Sequence, residues 1–166
     1  MRDSLADWVR ALPLPDGAIV VLLAMVPIIE LRGAIPIALG VFDFGRVPAY
    51  LLAVAGNLIP IPIILWMYPP FFSFTERHVG WLHRLLARLQ QSTERRHSAR
   101  FNRWRDIALI SFVAIPLPIT GAWSGSLAAI VFSVPKRKAL ALIGLGVLIA
   151  GVVVTLFIEA LGLSVG

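Results

Sequence analysis

The sequence predicts an all-α integral membrane protein built as an inverted repeat of two units, each a re-entrant helical hairpin followed by a transmembrane helix, with an amphipathic cytoplasmic helix between them. Three observations lead there. Of the 166 residues, 58% are hydrophobic and 14% charged, whereas soluble domains carry about 25% charged residues. Four apolar stretches, Ala18 to Phe42, Val47 to Phe72, Ile107 to Phe132 and Ala139 to Leu163, each exceed the roughly 18 residues that a bilayer core about 30 Å thick demands. The positive charge is concentrated in two clusters: eight arginines between Ser73 and Asp106, and Lys136, Arg137 and Lys138.

Taken in order, the elements form one membrane domain over residues 1–166. Residues 1–17 mix acids and bases before any apolar run and are read as an N-terminal segment rather than a cleavable signal. If all four apolar stretches crossed the bilayer, the two basic clusters would fall on opposite sides, against the tendency of Lys and Arg to remain cytoplasmic. Re-entrant hairpins at 18–46 and 107–133 remove the conflict, with transmembrane helices at 47–72 and within 134–166. The loop 73–106 is then cytoplasmic, in the inner membrane of a prokaryote, and the N-terminus lies outside.

Helix breakers support the same reading. Pro27, Gly33, Pro36 and Gly40 interrupt the first stretch, and Pro116, Pro118, Gly121 and Gly125 the third. Broken backbone at membrane depth must be covered by protein or meet a wet cavity; ordinary kinked helices are the competing reading. The halves also match weakly. Gly33-Ala34 pairs with Gly121-Ala122 and Gly56 with Gly144 at a shift of 88, and Val47-Pro48 with Val134-Pro135 at 87. Because the first half starts outside and the second inside, the repeat is inverted, as in many transporters.

In the central loop, Trp81, Leu82, Leu85, Leu86 and Leu89 recur at helical spacing opposite Arg84 and Arg88, the pattern of an interfacial amphipathic helix. Arg84, Arg88, Arg95 and Arg96 are the expected contacts to anionic lipid head groups; a solvated hairpin is the alternative. Since the net charge of +6 resides in these juxtamembrane clusters, membrane lipids rather than nucleic acid are the expected partners.

Glu30 and Arg32 are the residues most out of place, for charge in mid-membrane costs at least about 2.5 kcal/mol each. Arg32 reads as an anion anchor and Glu30 as a proton-exchanging carboxylate; alternatively the two form a fixed ion pair bracing the hairpin. In the third stretch, Thr120, Trp123, Ser124, Ser126 and the amides near its glycines could receive a phosphate or carboxylate, or the small residues serve helix packing. Asn57 either reaches the hairpins or joins two helices, and Glu159 reads as interfacial. The substrate-binding set is thus Glu30, Arg32, Gly33, Pro36, Asn57, Pro116, Pro118, Thr120, Gly121, Trp123, Ser124 and Gly125. No catalytic residue, cofactor or metal site is expected: His78, His83 and His97 fit no common zinc spacing, cysteine is absent, and no histidine lies in an apolar stretch to activate a serine.

The runs ELRGAIPIALG (30–40), GNLIPIP (56–62) and AIPLPITGAWSG (114–125) resemble the small multidrug export protein family, a distant branch of the DedA superfamily. Ile119 stands where glycine is expected in the second hairpin motif. The resemblance implies two facing re-entrant hairpins, each followed by a transmembrane helix. It also implies movement of phospholipids or undecaprenyl phosphate across the membrane, often with proton dependence, with Glu30, Arg32, Pro116, Thr120, Gly121 and Trp123 on the matching motif positions. The expected function is a transporter or flippase of an anionic amphiphile such as a lipid phosphate. The alternatives are a small exporter of cationic drugs and a scaffold binding anionic lipid. A homodimer is the expected way for so short a chain to enclose a path.

Overall fold

The computed structural model describes residues 13–67, 84, 99–117 and 120–162, with the side chains of 99–101 set aside. The described residues are helical with no strand. Six helices follow in order: α1 (Asp16–Met25), α2 (Glu30–Gly40), α3 (Arg46–Leu58), α4 (Ala99–Ala114), α5 (Ala122–Val131) and α6 (Lys136–Ala160). After a turn at Ile59, where Pro60 cannot donate to the Gly56 carbonyl, the helix of α3 resumes, so that Arg46–Met67 forms one 22-residue apolar helix. At 1.5 Å per residue it is about 33 Å long, and the 25 residues of α6 reach further; both can cross a bilayer core. Only 39% of the most apolar window of each is buried. A core helix of a soluble protein would be mostly covered, so these two present their apolar surface to lipid.

The remaining apolar helices are short. α1 and α2, of 10 and 11 residues, span about 15 Å each, half of a bilayer core. The apolar stretch from 18 to 42 is therefore two short helices, not one long one. Val26 precedes Pro27 and takes an extended conformation (φ −74°, ψ 129°), as residues before proline prefer; this ends α1. The third stretch divides in the same manner into α4 and α5, separated by residues 115–121.

The chain forms two compact units, Met1–Ile59 with Val147–Gly166 and Pro60–Gly146. In the first unit α1, α2 and α3 pack on one another. Leu31, Ala34, Ile35, Ala38 and Leu39 form the buried stripe of α2 against Ile19, Val20 and Ala24 of α1 and Ala49, Ala53 and Val54 of α3, at the spacing of one helical face. The many alanines let the backbones approach. Gly17 lies beside Leu52, and Gly56 beside Val21 and Ala24, so α1 and α3 run parallel and α2 returns between turns. The end of α1 meets α3 at Gly56, halfway along Arg46–Met67. In the same unit α6 runs antiparallel to α3: Arg46 pairs with Glu159 at 2.9 Å, the Tyr50 hydroxyl donates to the Leu148 carbonyl at 3.2 Å, and Gly151 lies against Tyr50 and Val54.

In the second unit the two ends of the third stretch come together. Lys138 pairs with Asp106 at 2.5 Å, and Arg105 donates to the Phe132 carbonyl at 3.2 Å. The chain thus leaves Asp106 along α4 and returns along α5 to where it started. Val113 of α4 is held between Gly125 of α5 and Gly146 of α6.

The amphipathic helix expected around Trp81 to Gln91, with Arg88, Arg95 and Arg96, lies outside the described residues, as do Pro118 and all three histidines. Arg84 is exposed in a helical conformation.

Candidate functional site

At the end of the α1–α2 turn, Glu30 adopts a left-handed backbone conformation (φ 47°). This is uncommon for a residue with a side chain and costs about 1–3 kcal/mol. Its side chain is 5% exposed, while Ile28, two residues earlier, is 86% exposed. A buried carboxylate beside an exposed isoleucine inverts the arrangement expected in water and suits a turn surrounded by lipid.

The strained residue explains a pairing that regular helix geometry would forbid. Side chains two apart diverge on an α-helix, but the changed φ at Glu30 turns its side chain, and Arg32 Nη2 donates to Glu30 Oε2 at 3.2 Å. The contact engages one nitrogen and is longer than the 2.7–2.9 Å typical of charge-assisted bonds. Arg32 Nε and Nη1 are buried with no hydrogen-bond partner among the described residues. Pro36 lies inside α2 and deprives the Arg32 carbonyl of its helical donor. Asn57 is 1% exposed, on α3 next to the Gly56 contact, and its Oδ1 is likewise without a partner among the described residues. Leaving such buried groups unpaired costs about 1–3 kcal/mol each and more for charged ones, so among the described residues of this unit that cost falls on Arg32 and Asn57.

The second group of expected site residues forms another kind of structure. The Thr120 hydroxyl accepts from the Leu117 amide at 3.0 Å and donates to the Ile115 carbonyl, closing the turn between α4 and α5. Ser126 donates to the Ala122 carbonyl at 2.7 Å and Ser124 to Gly121 at 3.4 Å, local bonds common for helical serine. Gly125 is where a Cβ would meet Val113 Cγ2 at 2.4 Å. In this structure the hydroxyls and Gly125 are occupied in shaping the turn and packing the helices. Replacing Thr120 by valine is expected to destabilise the protein by about 1 kcal/mol, whereas serine keeps the bonds; thermal unfolding in detergent measures the difference.

Glu30, Arg32, Gly33, Pro36 and Asn57 therefore belong to the first unit, and Pro116, Thr120, Gly121, Trp123, Ser124 and Gly125 to the second. Sequence reasoning missed the Arg105–Asp106–Lys138 cluster. Its only sequence signal is an Arg-Asp pair abutting one end of an apolar stretch and a basic triplet abutting the other. Among the described residues no group of three His, Cys, Asp or Glu is placed to hold a metal ion.

Two apolar helices long enough to span, shorter helices paired beside them, and a buried ion pair at a helix break define a helical membrane protein. The sequence profile of the family described as "Putative small multi-drug export protein" matches residues 30–153, well over half of the chain. The chain belongs to that family. The match begins at Glu30, so it leaves out α1 and includes α2 to α5 and most of α6. No curated protein and no solved structure gives a significant match.

Proposed function

We propose that the chain exports small amphiphilic cations in exchange for protons, with Glu30 as the carboxylate that drug and proton share and Arg32 as its counter-ion when neither is bound. The observation that carries this reading is the buried, strained Glu30, which Arg32 engages through one nitrogen at 3.2 Å. A well-made bidentate bridge would lock the carboxylate; a monodentate one is exchangeable. Two ligands that compete for one carboxylate cannot ride together, and mutual exclusion turns an inward proton gradient into outward drug movement. The family description favours drugs over lipids, and the apolar surroundings suit an amphiphile entering from the bilayer.

The second reading, transport of an anionic amphiphile such as a lipid phosphate, draws on the two unpartnered nitrogens of Arg32, and the DedA resemblance belongs with it. Its coupling has the opposite sign. Protonating Glu30 would free Arg32 for the anion, so proton and substrate would travel together. Vesicles with an imposed pH gradient separate the two. Counterflow of tetraphenylphosphonium against protons, lost in Glu30→Gln, is the expected result. Proton-accelerated movement of a fluorescent lipid phosphate, lost in Arg32→Ala, would replace the cation reading with the anion one.

For topology we favour two re-entrant hairpins. The return of α5 to Asp106 and the parallel run of α1 and α3 support them, as does the joint position of the basic residues at 105 and 138, which the charge rule assigns to the cytoplasm of a prokaryotic inner membrane. In this cysteine-free chain, single cysteines at Ser4 and Ser164 are expected to label from outside and at Ser92 from inside. Labelling of Ser4 and Ser164 from opposite faces rejects the arrangement.

A further inference from the structure

The second unit holds a groove of about 540 Å³ between α4 and α5, lined by Leu109, Phe112, Ala128 and Phe132 with Trp104 and Arg105 among the rest. Its volume falls within the roughly 300–1,000 Å³ of small-molecule sites. Arg105 is the only charged lining residue among those described, and its side chain is 10% exposed. It donates from Nη1 to the Phe132 carbonyl at 3.2 Å and from Nη2 to Asp106 at 3.5 Å. Its Nε is buried with no partner among the described residues.

The groove has a direction. Trp104 and Arg105 lie at the end where Lys138 meets Asp106, and Phe112 lies two turns further along α4, about 12 Å away. Exposed Trp104 and the flanking bases mark that end as the membrane interface, so the groove runs from the interface into the hydrocarbon. Charge at that end is unequal: Arg105 and Lys138, with exposed Arg103 and Arg137 close to them in the chain, stand against Asp106. Lys136 stacks on Trp66 at 5.9 Å and adds another cation to this end.

From this we infer that the α4–α5 groove is a binding site for one anionic phospholipid, its acyl chain along Leu109, Phe112, Ala128 and Phe132 and its phosphate facing Arg105 and Lys138. The occupant is lipid rather than a soluble anion because the binding volume is apolar and opens at the bilayer interface. The groove residues belong to the second unit, and the inference does not depend on the reading of Glu30.

Native mass spectrometry of the full chain tests it, with the protein in detergent and equal phosphatidylglycerol and phosphatidylcholine. Wild type is expected to retain phosphatidylglycerol over phosphatidylcholine by about fivefold, the factor that one basic side chain gives near a surface. Arg105→Gln should retain lipid without that preference, and Ala128→Phe, which fills the groove, should lose both lipids while the unfolding midpoint is kept. Equal retention of the two lipids by wild type overturns the proposal whatever the variants do. Undiminished preference in Arg105→Gln, or capture of dodecyltrimethylammonium in place of phosphatidylglycerol, also overturns it.

Discussion

Replacing Arg32 with alanine is expected to destabilise the protein by about 3–5 kcal/mol, the cost of removing one member of a buried ion pair. The magnitude follows from the 5% exposure of the Glu30 side chain and its salt bridge to Arg32 at 3.2 Å. If the pair acts as a unit, the double variant Glu30→Gln/Arg32→Ala recovers much of the loss, because the glutamine carries no charge to strand. Unfolding midpoints in detergent for the four members of this cycle measure the coupling. A double variant as unstable as Arg32→Ala would show that Arg32 acts through contacts other than Glu30. Transport separates from stability here. The double variant is folded and still inactive for cation counterflow, since it lacks the carboxylate that proton and drug share.

The break after α1 was legible because proline acts locally: Val26 before Pro27 leaves the helical region, as residues before proline prefer, although Ile35 before Pro36 and Ile59 before Pro60 stay helical. The misfit of Glu30 and Arg32 in an apolar run was legible for the same reason. Their mode of pairing was not, because it depends on a left-handed φ at Glu30 that neighbouring turns impose and that no residue preference of glutamate announces. Long-range closure was harder still. Asp106 and Lys138 are 32 residues apart, and only the folded path of α4 and α5 brings them to 2.5 Å. The match of Gly56 to Gly144 did not by itself name the contact between α4 and α6, where Gly146 lies against Val113. Packing glycines are chosen by the approach of a particular neighbour, and the two halves approach differently.

That difference predicts which glycine substitutions can be repaired. A Cβ on Gly146 would lie 2.6 Å from Val113 Cβ, and one on Gly125 2.4 Å from Val113 Cγ2. Alanine at 113 lacks Cγ2 but keeps Cβ, so Val113→Ala is expected to restore much of the stability lost in Gly125→Ala and little of that lost in Gly146→Ala, where the Ile110 carbonyl oxygen also lies at 3.1 Å. A Cβ on Gly56 instead meets the Val21 carbonyl oxygen at 2.4 Å and Ala24 Cβ at 2.8 Å. Backbone cannot be trimmed, and alanine has little left to lose. Gly56→Ala must therefore push α1 away from α3, at about 3 kcal/mol, the upper part of the usual range for overpacking, with no single rescuing substitution. Gly40→Ala, where nothing lies within 4 Å, is the matched control. Because Asn57 follows Gly56 and α1 leads into the Glu30 turn, the same displacement should disable cation counterflow in whatever fraction of Gly56→Ala remains folded, whereas rescued Gly125→Ala/Val113→Ala retains it. Thermal unfolding and vesicle counterflow on the four variants read both effects, and counterflow at the wild-type rate in folded Gly56→Ala would remove the α1–α3 contact from the working site.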